Sequence, residues 1–97
     1  MIPHNKYAEN SIWKYMKKRD YGLKQMASLL GIKSRGHISG WIRGRKLPSL
    51  ENVLKLAISL NTPPEFLFQT LFLALKEEIN ARRAKLFSYR KKLHHEA

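Results

Sequence analysis

Lysine and arginine side chains cluster along the chain, and they are the residues best placed to bind a ligand. One cluster lies between Asp20 and Glu51, a stretch that contains no acidic residue. Its basic members are Lys24, Lys33, Arg35, Arg43, Arg45 and Lys46. A solvated helix face normally mixes positive and negative charges. A stretch with only positive charges therefore indicates a surface that binds phosphates.

A second acid-free run lies between Glu78 and Glu96. Its basic members are Arg82, Arg83, Lys85, Arg90, Lys91 and Lys92. The whole chain has 19 Lys and Arg against 7 Asp and Glu, a formal net charge of +12. This excess predicts a polyanionic partner, with nucleic acid first and an anionic membrane surface second. The alternative for the second run is a basic tail that only aids solubility.

Few residues in this sequence could support catalysis or bind a metal ion. There is no cysteine, and Asp20 is the single aspartate, which leaves few residues for a thiolate site or a Ser-His-Asp triad. His94 and His95 are adjacent rather than four positions apart, so they do not suit a metal ion on a helix. No Gly-rich loop precedes a Lys-Ser or Lys-Thr pair. We therefore expect a protein that is not an enzyme and that needs no metal or cofactor.

The chain length and the apolar segments limit the class of protein. With 97 residues the chain can bury one core. The first residues lack the apolar run of a signal peptide, and the apolar stretch 66–75 is too short to span a bilayer. The absence of cysteine fits a reducing compartment. We expect a cytoplasmic protein without a membrane partner.

The elements that must position the basic residues are all predicted to be helical, because every strong periodicity is that of a helix. The segments are about 10–19, 23–30, 35–43, 50–60 and a long helix from about 62 to 93. Asn10 or Ser11, then Ser34, Ser49 and Thr62 are the expected N-caps, with Glu65 completing a capping box. Gly31 and Gly44 are expected to end the second and third segments.

The apolar spacing also assigns an inward face to each segment. In the first segment this face holds Ile12, Tyr15 and Met16; in the second, Leu23, Met26, Ala27 and Leu30; in the third, Ile38, Trp41 and Ile42; in the fourth, Leu50, Val53, Leu54, Ala57 and Leu60. Short helices two and three bury little alone and need the other segments as a scaffold.

Two short helices joined by a tight turn at Gly31 form the layout that presents one helix to a DNA major groove. Over residues 10–68 the sequence resembles the lambda-repressor and Cro-like helix-turn-helix regulators. The matching positions are Ala27, Gly31, Ile32, Ile38, Ser39, Gly44 and Pro48-Ser49-Leu50. The sequence departs from the family pattern at Gly22 and Leu23, where a Thr-Gln pair is usual, at Ile42, and in a turn that is one residue longer.

The resemblance implies an all-α, five-helix lambda-repressor-like domain with an extended C-terminal helix, and a recognition helix at 35–43. On that helix we expect contacts to DNA bases from Arg35, Gly36, His37, Ser39 and Gly40. The alternatives are a phosphate contact for Ser39 and an ordinary exposed histidine for His37. We expect contacts to phosphates from Lys24, Lys33, Ser34, Arg43, Arg45 and Lys46. An arginine can bind guanine O6 and N7 with two hydrogen bonds, whereas phosphate contacts set affinity without sequence choice.

Gly36 and Gly40 stand inside the predicted recognition helix. Each costs a helix about 0.5–1 kcal/mol relative to alanine. They are four positions apart and so share one face, opposite Ile38 and Trp41. A bare face lets the backbone approach the DNA closely, which is the interpretation we favour. The alternative is an irregular helix or a loosened turn.

The last helix carries a spacing of alternating fours and threes that suits two packed helices. The positions are Phe68, Phe72, Leu75, Ile79, Arg82, Leu86, Tyr89 and Leu93, all apolar except Arg82. We expect this seam to form a homodimer. The alternatives are that the helix folds back on its own domain or binds another protein, as in antitoxins that resemble this family.

The sequence therefore predicts a dimeric transcriptional regulator, most simply a repressor, that binds double-stranded DNA at an inverted repeat. Its predicted parts are a DNA-binding domain at 1–68 and a dimerising extension at 69–97. The resemblance implies a cytoplasmic, nucleoid-associated protein of a bacterium or phage. The rival hypotheses are an antitoxin-like protein-interaction module and a membrane-surface protein.

Overall fold

The computed structural model describes the backbone of residues 9–96 and the side chains of residues 9–90. Within that part the chain forms helices and no strand. The helices are α1 (Ile12–Lys18), α2 (Leu23–Leu30), α3 (Arg35–Ile42), α4 (Leu50–Leu60), α5 (Pro64–Leu67) and α6 (Gln69–Glu96). The predicted all-α fold with a long C-terminal helix is confirmed.

The helices that matter for the basic cluster begin at the predicted serine caps. Ser34 Oγ accepts a hydrogen bond from the Gly36 N–H at 3.2 Å. Ser49 Oγ accepts one from the Asn52 N–H at 3.3 Å. At α1 the cap is made by Asn10, whose Oδ1 accepts from the Ile12 N–H at 3.1 Å. Each cap satisfies a backbone donor that the first helical turn leaves without a partner.

The first four helices end in the same way, with one residue in the left-handed region. The φ angles are 58° at Asp20, 69° at Gly31, 73° at Gly44 and 48° at Asn61. The N–H of the next residue then bonds to the carbonyl oxygen five positions earlier, at 2.9–3.0 Å. This is the hydrogen bond of a Schellman motif. The motif turns the chain sharply, so short helices can pack around one core.

The core lies among α1 to α5 and the first turn of α6. Its members are Ile12, Met16, Met26, Ala27, Leu30, Ile38, Trp41, Leu56, Leu60, Leu67 and Phe68. We call α1 to α5 the helical body. Two hydrogen bonds join α1 to later parts of it: Ser11 N–H donates to Leu67 O at 2.7 Å, and Arg19 Nε donates to Leu60 O at 2.8 Å. The inward faces predicted for the first three helices are confirmed.

The predicted inward face of α4 is wrong at two positions. Leu50 and Leu54 are 74% and 47% exposed, whereas Leu56 is fully buried. The face that packs on the core instead runs through Val53, Leu56 and Leu60. α4 carries apolar residues around most of its circumference, so periodicity alone does not decide which side faces inward.

The predicted single helix from Thr62 onward is divided at Phe68, whose φ and ψ are −123° and 49°. The predicted capping box is wrong as well. Pro63 is the N-cap of α5, and the Thr62 hydroxyl donates back to Leu60 O at 2.9 Å. Because Asn61 turns the chain at the end of α4, Thr62 points back toward that helix rather than toward α5.

The long helix α6 extends away from the body. The molecule measures 62 × 33 × 22 Å, and its radius of gyration is 18.3 Å. A compact chain of this length has a radius of gyration of about 12–13 Å. Among the described side chains beyond Leu75, all are exposed. The fold therefore consists of a small helical body and a projecting helix.

Candidate nucleic-acid interface

Helix α3 is held to the body by one face only. Ile38 is fully buried and Trp41 is 6% exposed. The side chain of Asn10 donates from Nδ2 to the Trp41 carbonyl oxygen at 2.7 Å, which ties the end of α3 to the start of α1. These contacts fix the helix in place and leave its opposite face toward solvent.

The predicted base-contacting residues lie together on this outer part of α3. Arg35, Gly36 and His37 are exposed, and Ser39 and Gly40 are partly buried. A guanidinium, an imidazole and a hydroxyl within two helical turns supply hydrogen-bond donors and acceptors that suit base edges.

The two glycines of α3 differ in what surrounds them. A Cβ added at Gly40 would meet no atom within 4 Å, so nothing in the body requires a glycine there. A Cβ added at Gly36 would lie 3.2 Å from Ser34 Oγ, the N-cap oxygen. Gly36 thus protects the cap, while Gly40 leaves an open strip on the outer face.

Cationic side chains stand at both ends of α3 and on α2. The exposed members are Lys24, Lys33, Arg35, Arg43, Arg45 and Lys46. None of them forms an ion pair with a residue that the structure describes, in contrast to Lys55, whose Nζ lies 3.9 Å from Glu51 Oε1. Their positive potential is therefore not neutralised by the acidic side chains described here.

Ser34, predicted at a phosphate, has a structural role as the N-cap of α3. Its oxygen accepts the Gly36 N–H, and its own proton can still be donated to a phosphate. At the start of α2, where the Thr-Gln pair is replaced, the Gln25 side chain accepts the Gly22 N–H at 3.0 Å. The glycine therefore serves as the cap of α2 with help from Gln25.

A model of the helix-turn-helix family matches residues 14–67, just over half of the chain. The chain belongs to the helix-turn-helix family. The resemblance to regulators of the lambda-repressor and Cro type is confirmed, and with it the assignment of a DNA-binding regulatory domain. A comparison with curated proteins finds no match.

The family match includes α1 from Lys14 onward and all of α2 to α5, but not α6, which begins at Gln69. In this helix-turn-helix protein, α2 and α3 are the helices on either side of the turn at Gly31. Among the described residues, no helix is long and apolar enough to cross a membrane. That part of the chain also contains no group of three or more His, Cys, Asp or Glu side chains that could hold a metal ion.

The structure places the predicted dimer seam along α6, with one correction. Phe68 is only 7% exposed and belongs to the core of its own body, so it is not available to a second chain. This burial coincides with the break between α5 and α6. Leu93 lies outside the residues whose side chains are described. The seam positions that remain are Phe72, Leu75, Ile79, Leu86 and Tyr89, which are 44–61% exposed.

An apolar groove beside the start of α6 was not predicted. It has a volume of about 300 Å³ and lies between the loop after α3, the start of α4, and α5 and α6. Its lining residues are Leu47, Pro48, Val53, Pro64, Glu65, Phe68, Leu71, Phe72 and Leu75. The signal available in the sequence was the Leu47-Pro48 pair, which is apolar although it lies in a loop.

A second surface that sequence analysis missed is the outer face of α4. Leu50, Leu54 and Ile58 follow one another at intervals of four, so they form a stripe along that helix. They are 74%, 47% and 80% exposed. This stripe is the apolar surface that the sequence had assigned in part to the core.

Proposed function

We propose that this helix-turn-helix protein is a homodimeric transcriptional repressor that reads an inverted-repeat operator by inserting α3 into the major groove. The observation that carries the proposal is the outer face of α3. It presents Arg35, His37 and the open strip at Gly40 between two groups of exposed cations. A polyanion with readable base edges is the ligand that suits this combination.

Sequence choice is assigned to the side chains at the start of α3. Recognition helices of this motif use their N-terminal residues to contact base edges. Arg35 is exposed at the first position of α3 and can bind a guanine through O6 and N7. His37 and Ser39 can add single hydrogen bonds, and Gly40 allows the backbone to come close to the groove.

Affinity and orientation are assigned to the surrounding cations. Lys33 and Ser34 lie at the start of α3, and Arg43, Arg45 and Lys46 lie at its end, so the two groups can hold the phosphates on either side of the groove. Lys24 in the first turn of α2 extends this surface. These contacts give no preference between sequences.

Dimerisation is assigned to α6. A projecting helix that exposes Phe72, Leu75, Ile79, Leu86 and Tyr89 leaves a long apolar strip in water, which marks an interaction surface. The spacing of fours and threes fits a second copy of the same helix. Since two copies related by a two-fold axis present two recognition helices, the matching operator is an inverted repeat.

Repression is the regulatory outcome that needs only occupancy of the operator. Full-length protein should select a consensus from random double-stranded DNA, and that consensus should be an inverted repeat with half-site centres about 10 base pairs, or a multiple of that, apart. A promoter that overlaps this site should lose transcription when the protein is added. Selection without any consensus, or activation of that promoter, would contradict the proposal.

A further inference from the structure

The charges along α6 and its flanks are unevenly distributed. From Gln69 to Asn80 the sequence has Lys76, Glu77 and Glu78, and Glu65 lies beside this part in the groove. From residue 81 to residue 93 there is no acid, and the basic residues are Arg82, Arg83, Lys85, Arg90, Lys91 and Lys92. The helix therefore has a weakly acidic first half and a strongly basic second half.

We propose that two copies of α6 pair in antiparallel orientation, so that the basic half of each copy lies against the first half of the other copy's α6 and against the apolar groove beside it. This inference rests on the proposed homodimer and assigns the orientation of its interface. In a parallel pair the two basic halves would lie side by side and bring twelve positive charges into the same few turns. Antiparallel pairing separates most of these charges and leaves only Arg82 and Arg83 of the two copies near one another at its centre.

Arg82 is the one charged residue in the seam and argues for the same orientation. In a parallel pair each seam residue faces its own counterpart, so Arg82 of one copy would face Arg82 of the other. A single charged or polar seam residue is a recognised determinant of how helices pair. In an antiparallel pair Arg82 faces a different residue, and its aliphatic stem can lie along an apolar neighbour while the guanidinium reaches water.

The seam spacing fixes the register. The seam positions alternate between a and d positions of a heptad repeat. In an antiparallel pair, each layer joins an a position of one helix with a d position of the other. One register uses every seam position from Phe72 to Tyr89 and leaves none over. It places Phe72 opposite Tyr89, Leu75 opposite Leu86, and Ile79 opposite Arg82.

The groove provides the complementary surface at each end of this pair. Leu71, Phe72 and Leu75 line the groove and lie at the start of the seam, so the groove and the seam form one continuous apolar surface. The register brings Tyr89 and Arg90 of the second copy to this point. Glu65 is exposed at the groove and offers a carboxylate to that basic end.

The absence of cysteine permits a direct test by disulfide crosslinking of the full-length protein. Phe72→Cys and Tyr89→Cys are made separately and oxidised in a glutathione buffer, alone and mixed. Antiparallel pairing brings these two positions face to face, whereas two copies of position 89 lie about 26 Å apart along the helix pair, too far for a disulfide. We expect a crosslinked dimer in the mixture only.

Several controls make each result decisive. Ser88→Cys precedes Tyr89 by one residue but lies on the far side of the helix, so its mixture with Phe72→Cys should not crosslink. The pair Leu75→Cys and Leu86→Cys repeats the test if one of the first variants fails to bind DNA. Crosslinking of Tyr89→Cys with itself would establish parallel pairing and overturn this inference, while the homodimer would stand.

Sedimentation separates the remaining outcomes. A dimer that crosslinks in neither mixture would overturn the antiparallel seam. A monomer at micromolar concentration would contradict the proposed homodimer itself.

The groove contact has its own test by charge reversal. Glu65→Lys should weaken the dimer roughly tenfold, because two symmetric contacts are reversed at once. Glu77→Lys makes the same charge change on the side of α6 away from the seam and should have little effect. Combining Glu65→Lys with Arg90→Glu should restore dimer affinity. Equal weakening by Glu65→Lys and Glu77→Lys, without this rescue, would remove Glu65 from the interface.

Discussion

At the scale of single residues, the proposal assigns sequence choice to side chains on the outer face of α3 and phosphate binding to the side chains that flank it. Arg35 begins the helix, whereas Arg45 and Lys46 follow its end. All are exposed cations, so composition alone does not distinguish their roles. Their position relative to the groove does, because the start of a recognition helix meets base edges and the flanking loop meets the sugar–phosphate backbone.

Replacing Arg35 should reduce discrimination between DNA sequences. Arg35→Ala is expected to cost roughly 1–3 kcal/mol on the selected site and to relax the preference at one base pair of each half-site. Competition binding with single-base variants of the site measures this. An equal loss on random DNA would make Arg35 a phosphate contact.

Gly40 tests whether the open strip on α3 serves close approach to DNA. A side chain there meets no neighbour in the body, so Gly40→Ala should stabilise the fold by about 0.5–1 kcal/mol. Gly40→Leu should retain the circular dichroism of the folded protein but lose DNA affinity, because the added side chain occupies the space of the groove. Normal DNA binding by Gly40→Leu would refute the role of the bare face.

At the scale of elements, local signals predicted the helix boundaries better than the faces they bury. Ser34, Ser49, Gly31 and Gly44 act within a few residues of themselves, so their caps and turns can be read from the sequence. The burial of Leu56 in place of Leu54 depends on which helices surround α4, and that is a property of the whole body. The sequence contains no local signal for it.

The break at Phe68 was missed for a related reason. The residues after Pro64 include no glycine or proline that would end a helix. Phe68 is drawn into the core, and the chain changes direction there to bury it. The groove beside α6 arises from this change of direction, and the apolar Leu47-Pro48 pair in its loop was the local signal of it in the sequence.

Leucine-to-alanine substitutions on α4 test the corrected inward face. Leu56→Ala should lower the free energy of unfolding by about 2–5 kcal/mol, since it leaves a cavity in the core. Leu54→Ala, on the same helix and with the same chemistry, should change it by less than about 1 kcal/mol. Urea unfolding of both variants gives the comparison, and equal losses would mean that both leucines are buried in solution.

A charge in the seam of α6 tests dimerisation without disturbing the body. Ile79→Glu should convert the dimer to a monomer in sedimentation, because the carboxylate would be buried between two helices. Ala84→Glu places the same charge on the side of α6 away from the seam and should leave the dimer intact. Dimers of equal stability in both variants would show that the seam is not the dimer interface.

At the scale of the whole molecule, the proposed function assigns DNA binding to the net charge of +12 and dimerisation to the projecting helix. The body carries the family motif, and α6 lies outside it. The proposed dimer would join two such bodies and so double the number of base pairs read. The predicted division at residue 68 stays a prediction.

The strength of binding should depend steeply on salt. If about four to eight phosphates are neutralised in the complex, the logarithm of the affinity falls against the logarithm of salt concentration with a slope of about −0.9 per phosphate. The double variant Arg45→Ala, Lys46→Ala should flatten this slope and weaken selected and random DNA alike. An unchanged slope would remove both residues from the phosphate contacts.

The central claim is that two copies of α3 read two halves of one operator. Hydroxyl-radical footprinting of full-length protein on the selected DNA tests it most directly. We expect protection with two-fold symmetry and half-site centres about 10 base pairs, or a multiple of that, apart. Arg35→Ala should alter protection at the mirrored position of each half. An asymmetric footprint, with a change in one place only, would contradict the account and assign α6 to a different partner.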